Sequence, residues 1–275
     1  MASKKTNEIA TVNKNEVALP FDYGVDAGVG LDLTLDDLKI PFITLAQGDS
    51  KILDEDEENY VPGGAPGMLF NAATKQYSDR LLLVPAVKRV TYVEWLPDRG
   101  GFAGEHLPSD PVVRQAKANA VSRNELRNPE NGNQLQETRS IFCIVIDEAN
   151  EPVGFCVVPF ASSKIGPWRE YFTALDTAKV TRNAPLFAHT IALSSVNAVG
   201  KGKKYKNFQM IPARDADGNI ATDPLKANVI SSMIPPDSAA YQAAVQLRDA
   251  ITEGRAEADR DTAEDATGAT SDGHF

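Results

Sequence analysis

The alternation of apolar and polar positions predicts a chain built mainly of β-strands. Five runs rich in Val, Ile, Leu and aromatic residues predict strands at 80–96, 140–147, 153–160, 189–196 and 203–212. A short apolar segment at 38–47 and a short predicted strand at 67–71 precede them. The polar stretches 148–152 and 197–202 predict the turns of two hairpins, because each is short and separates two adjacent strands.

Helical periodicity occurs in three places. Residues 164–178 predict a helix in which Ile165, Trp168, Phe172 and Leu175 form one apolar stripe. Residues 238–252 predict a C-terminal helix. A third helix is expected at about 110–126, inside a polar insertion that spans 97–138.

These elements predict a mainly β (α+β) fold with one helix between strands. We expect an OB-like, partly open barrel of five to six strands, followed by a C-terminal helix and a disordered acidic tail. A β-sandwich with appended helices is the alternative. The predicted divisions are a flexible polar and acidic arm at 1–37, one domain at 38–248 and the tail at 249–275.

Charge is unevenly distributed along the chain. The 275 residues carry a formal net charge of −10. Residues 22–58 contribute −9 and residues 249–275 contribute −6, whereas 164–206 carry +6. The acidity therefore flanks a basic middle, so the total does not exclude a nucleic-acid partner.

Several functional classes lack a signal in this sequence. No apolar run is long enough to predict a membrane span, and the N-terminus has no apolar core of a secretory signal. Cys143 and Cys156 lie in apolar strand runs, so we expect core positions and a reducing compartment. The three histidines have no metal-ligand spacing, and no phosphate-binding loop or catalytic constellation is found. We therefore expect no catalytic residue, metal or cofactor.

Cations interleaved with aromatic residues are the candidate chemistry. Lysine and arginine neutralise phosphates, and exposed aromatic rings stack on unpaired bases. The candidates for DNA binding lie in 164–208 and in the strand at 80–96 with the residues just after it: Lys88, Arg89, Tyr92, Trp95, Arg99, Lys164, Trp168, Arg169, Arg182, Lys201, Lys203, Lys204, Tyr205, Lys206 and Phe208. The alternative interpretation is that the aromatic side chains are core and the lysines a solvated rim.

The C-terminal tail is the second candidate site. It is acidic and ends in an aromatic residue, with Asp259, Asp261, Glu264, Asp265, Asp272 and Phe275 as the candidate partner-binding residues. Such a tail can compete with phosphate for a basic groove, and a terminal Phe offers a ring and a carboxylate to one pocket. A purely solubilising tail is the alternative.

This arrangement resembles phage-encoded single-stranded DNA-binding proteins of the phage T7 type. The similarity covers mainly 80–213 and 249–275, and the matching positions are 201–206 with Tyr205, and the acidic tail with Phe275. The resemblance implies an OB-fold, a basic aromatic groove and a tail that recruits partners. Bacterial single-stranded DNA-binding proteins have a similar tail. The present tail is less acidic at its end, and the acidic block at 22–58 has no counterpart.

We therefore expect a non-enzymatic, sequence-independent single-stranded DNA-binding protein of phage replication or recombination. Its expected partners are single-stranded DNA and, through the tail, replication or recombination proteins, with no membrane and with a homodimer left open. The expected location is the host cytoplasm. A virion or scaffold-type interaction protein is the first alternative, and a nucleic-acid-processing enzyme is the second.

Overall fold

A six-stranded antiparallel sheet forms the centre of the computed structural model, which describes residues 39–97, 101–122, 125–178, 184–200 and 202–259. All of these belong to one compact unit, Leu35–Phe275. The strands are β1 Lys39–Ile40, β2 Ile43–Leu45, β3 Leu69–Asn71, β4 Gln76–Ser78, β5 Leu81–Trp95, β6 Phe102–His106, β7 Gln134–Ile146, β8 Pro152–Ala161, β9 Ile191–Gly200, β10 Lys203–Pro212 and β11 Glu257–Ala258. The helices are α1 Pro111–Asn119, α2 Ile165–Thr177 and α3 Ala239–Thr252.

The sheet has the order β10-β9-β5-β7-β8, and β6 pairs with one end of β5. Helix α2 lies between β8 and β9 along the chain, as predicted. The predicted mainly β fold with few helices is confirmed. The strand order, with a helix between the third and fourth of these five strands, agrees with the OB-like arrangement expected from the sequence.

The sheet does not close into a barrel, because β8 and β10 do not pair. Residues 41–47 contact both outer strands instead. The Val157 N–H donates to the Pro41 carbonyl at 2.8 Å on the β8 side. On the β10 side, the Gln47 amide donates to the Lys206 carbonyl and accepts from the Lys206 N–H, both at 3.0 Å.

Each face of the sheet carries its own core. One core packs α3 against the sheet, with Leu247 and Ala244 fully buried over Val84 and Ile144. The other lies beneath α2 and β2 and contains Phe160 and Phe208 among its buried side chains. The predicted core positions of Cys143 and Cys156 are confirmed: both are buried and they face each other across β7 and β8. Burial and the neighbouring thiol raise the pKa of Cys143.

Several boundaries differ from the prediction. Strand β9 continues to Gly200, beyond the predicted end at 196, because it pairs with β10 along its whole length. Helix α1 ends at Asn119 instead of 126, since Ala120 is already extended. Strands β4 and β6 were not predicted. Helix α3 ends at Thr252, where the C-terminal helix was predicted to end, and β11 pairs with β1 within the first part of the predicted tail, with Ile251 and Ala256 buried. The arm at 1–37 lies outside the described residues.

Candidate nucleic-acid interface

The β9–β10 hairpin presents the basic cluster that the sequence singled out. Lys203 and Lys204 are exposed and Lys206 is half-buried. Among the described residues, no ion pair engages any of these three lysines. Strand alternation places Lys204 and Lys206 on the side of the buried Phe208, and Lys203 and Tyr205 on the other side. The hairpin therefore has one doubly cationic face and one face with a lysine and an aromatic ring.

Tyr205 packs across the hairpin. A Cβ atom added to Gly200 would lie 3.2 Å from the Tyr205 ring, so the glycine leaves the space that the ring occupies. Tyr205 is half-buried in this position. The ring is thus held by the hairpin itself, and part of it remains accessible to solvent.

A short 3₁₀ helix before α2, Ser162–Lys164, joins the hairpin to the central strands. The Trp95 indole N–H donates to the Gln136 side chain at 3.1 Å, and the Gln136 amide donates to the Ser162 hydroxyl at 2.9 Å. On the other side, the Asn207 amide of β10 donates to the Ser163 carbonyl at 3.3 Å. The start of α2, the end of β5 and the hairpin therefore meet at one end of the sheet.

Cations also lie over aromatic rings of α2. The Lys88 ammonium is 4.4 Å from the centre of the Phe172 ring and 5.7 Å from that of Trp168. The Arg139 guanidinium lies 4.6 Å from the Trp168 ring. Such contacts favour a cation over the ring face. Desolvation by burial lowers the pKa of Lys88, although Asp176 acts in the opposite direction.

Acidic neighbours offset part of this charge. Glu137 accepts two hydrogen bonds from Arg139, at 2.9 and 2.7 Å. The Trp168, Phe172, Lys88 and Arg139 side chains therefore form a cation–aromatic cluster that is less basic than the hairpin. Both aromatic residues pack against the core below α2, as the alternative interpretation of the helical stripe expected.

The remaining predicted DNA-binding residues have different surroundings. Tyr92 and Phe208 are buried, so their rings pack inside the protein and face no base. Arg89 is half-buried over the Phe142 ring, Lys164 lies over Phe208 at 6.0 Å, and Arg169 is exposed on α2. Arg99, Arg182 and Lys201 lie outside the described residues.

The predicted tail residues fall almost entirely outside the described part. Asp261, Glu264, Asp265, Asp272 and Phe275 lie beyond residue 259. Asp259 is described: its N–H donates to the Ile40 carbonyl at 2.9 Å, and its carboxylate is 4.0 Å from the Lys39 ammonium. This residue therefore ties the end of the described part of the chain to β1.

Among the described residues, sequence reasoning missed three cations that the fold places on aromatic rings. One is Arg139. The second is Lys117 of α1, 4.4 Å from the centre of the buried Tyr92 ring, and the third is Arg248 of α3, 5.1 Å from that of Phe187. Arg139 precedes Ile141 and Cys143 by two and four residues on β7, and this spacing is the sequence signal that it shares a face with the core below α2.

A buried carboxylate organises the connection between β5 and β7. Glu94 is only 5% exposed and accepts hydrogen bonds from four side chains. His106 contacts it at 2.6 Å, Asn128 donates at 3.0 Å, and Asn131 and Asn133 each donate at 2.7 Å. We call these five residues the Glu94 cluster.

The Glu94 cluster is a carboxylate held by donors. The Asn128 and Asn131 side-chain oxygens accept backbone N–H groups of the same loop, at 3.0 and 2.9 Å, so their amide nitrogens face Glu94. Burial alone would raise the pKa of Glu94, but the four hydrogen bonds together lower it to about 2. The carboxylate is therefore charged at neutral pH and fixes the loop at 128–133.

Within the described ranges, no three His, Cys, Asp or Glu side chains come together as ligands for a metal ion. In the same ranges, none of the helices has the length and apolar character needed to cross a membrane.

The fold and this surface define a mainly β protein whose central antiparallel sheet carries a basic hairpin. Residues 10–257 match the model of a protein family described as Pam3 phage gp34-like protein. The match covers most of the chain, so the chain belongs to this family of phage proteins. No curated protein and no solved structure matches it.

Proposed function

We propose that this protein binds single-stranded DNA without sequence preference, in phage replication or recombination in the host cytoplasm. The observation that carries the proposal is the β9–β10 hairpin. Its side chains Lys203, Lys204 and Lys206 have no ion-pair partner among the described residues, and Tyr205 lies between them. Lysines in this state can neutralise phosphates and release counterions, which supplies most of non-specific affinity.

The position of the hairpin supports the same proposal. OB-folds bind oligonucleotides largely through the loop between the first and second strands and the loop between the fourth and fifth. Counted along the chain, the five central strands are β5, β7, β8, β9 and β10, so the first two are β5 and β7 and the last two are β9 and β10. The basic hairpin and the loop fixed by Glu94 therefore occupy these two connections.

The cation–aromatic cluster is a second contact for bases. A guanidinium plane stacked on an indole can carry a base on its outer side, and a stacked base contributes about 1–3 kcal/mol. The face of the sheet beneath α3 is filled by that helix, so it is not part of the proposed interface. DNA would instead contact the hairpin, the start of α2 and the cluster of Arg139 with Trp168.

The test is a titration of the full chain with labelled oligo-dT at several salt concentrations. The double variant Lys203→Gln/Lys204→Gln removes two exposed hairpin charges. If each lysine contacts one phosphate, the slope of log affinity against log salt should fall by about 1.4, since each contact contributes about 0.7 for single strands.

The matched control is Lys75→Gln/Lys226→Gln, which changes the net charge equally at two exposed positions away from the hairpin. It should leave the slope unchanged. Absence of any binding by the unmodified protein at low salt would refute the proposal. An equal loss in both double variants would show that total charge, and not the hairpin, determines binding.

A further inference from the structure

Strand β9 has one edge that is unpaired over much of its length. It pairs with β10 along all ten residues, but with β5 only through Ile191, Ala192 and Leu193. Among the described residues, the backbone of 194–200 has no hydrogen-bond partner outside β10. A row of unpaired N–H and C=O groups is a template for another strand.

The two edges of this hairpin differ in charge. The β9 segment 194–200 contains no charged residue, and Val196 and Val199 are 36% and 70% exposed. Strand β10 carries Lys203, Lys204 and Lys206, and the Gln47 amide covers its edge at Lys206. Lysines protect an edge strand against pairing, and the β9 segment lacks this protection. The β9 edge is therefore the one suited to accept a strand.

We propose that a second copy of this chain pairs with the first through residues 194–200, with the two β9 strands antiparallel about a two-fold axis. An uncharged segment complements itself in such an interface, because the same residues occur on both sides. A two-stranded ribbon is marginally stable alone, and the pairing converts it into a four-stranded sheet.

The lysines do not oppose this arrangement. In the order β10-β9-β9-β10, the two lysine-bearing strands are separated by three strand spacings, about 14 Å. This exceeds the screening length of about 8 Å at physiological ionic strength, so their repulsion is weak. Lys204 and Lys206 of both copies then share one face of the sheet, and both Tyr205 rings lie on the other.

The test measures the mass of the full chain in solution by sedimentation, without DNA. The unmodified protein should show the mass of two chains and dissociate on dilution. Val199→Lys should reduce the mass to that of one chain, because it places a lysine in the uncharged interface. Val153→Lys is the matched control: it makes the same substitution at a 62% exposed valine of edge strand β8, and the protein should remain a dimer.

Circular dichroism and urea unfolding show whether Val199→Lys is folded. If Val199→Lys does not fold, Asn197→Lys takes its place, because Asn197 is exposed in the middle of the segment 194–200. The proposal would be overturned if the unmodified protein had the mass of one chain at high concentration. It would also be overturned if Val199→Lys and Asn197→Lys were both folded and self-associated as strongly as Val153→Lys. Because DNA is absent, a failure here leaves the DNA-binding proposal to its own titration.

Discussion

The buried carboxylate of Glu94 should contribute measurably to the stability of the folded protein. Its pKa is about 2 in the folded protein, against 4.5 for an ordinary glutamate. The difference corresponds to about 3 kcal/mol of stability at neutral pH. Glu94→Gln replaces the carboxylate with a neutral group of the same shape, so it should reduce the free energy of unfolding by roughly that amount. The amide of the variant also directs its own N–H groups toward the side-chain amides of Asn128, Asn131 and Asn133, which are donors themselves. Some of these donors are therefore left without an acceptor.

The dependence on pH follows from the direction of the shift. The folded pKa lies below the unfolded value, so the contribution of Glu94 is fully present above pH 4.5 and is lost as the pH falls toward 2. The difference in stability between the unmodified protein and Glu94→Gln should therefore be constant from pH 7 to about 5 and shrink below that. Urea unfolding followed by circular dichroism at a series of pH values measures it.

Glu137→Gln is the control for this experiment. Glu137 pairs with Arg139, but its side chain is partly exposed, so the loss of its charge should cost less than about 1 kcal/mol. If Glu94→Gln lowered the free energy of unfolding no more than Glu137→Gln does, the expected contribution of Glu94 would be refuted. A difference that stays constant down to pH 3 would equally contradict the low pKa.

Two further predictions concern the packing around β9. His189 is buried, and neither ring nitrogen has a hydrogen-bond partner among the described residues. Burial lowers the pKa of His189 below 6.5, so unfolding should become easier as the pH falls below 6.5. His189→Phe should remove that part of the pH dependence of the urea midpoint, and parallel profiles for the two proteins would contradict this. Gly67 has a φ of +100° and a Cβ there would lie 3.0 Å from the Ser195 hydroxyl, whereas Gly63, with a φ of +89°, has open space. Gly63→Ala should lower the free energy of unfolding by about 1–2 kcal/mol from backbone strain alone, and Gly67→Ala should lower it more. Thermal unfolding of the two variants measures this difference. Equal losses would show that the turn at Gly67 does not press on β9.

Local patterns in the sequence determined much of the fold. The apolar alternation in β5, β8 and β10, and the helical stripes of α2 and α3, appear in the structure close to their predicted positions. Strand β7 ends where predicted but begins at Gln134, inside the predicted polar insertion, and not at 140. This succeeds because a strand or helix with one buried face needs a fixed period of apolar residues.

The tertiary structure alone decided which distant residues meet. Periodicity indicates which face is buried but not what lies opposite, so the pairing of Gln47 with Lys206 has no local signal. For the same reason the sequence pattern does not distinguish Glu94 from other residues of its strand. Its hydrogen-bond donors come from β6 and from a loop more than thirty residues away. The sequence thus determined the longer strands of the central sheet and the location of the basic charge. Only the packing of remote segments decided that Tyr92 and Phe208 are core and that Arg139 joins Trp168. It also decided that one edge of β9 has no partner over 194–200 within the described part of the chain.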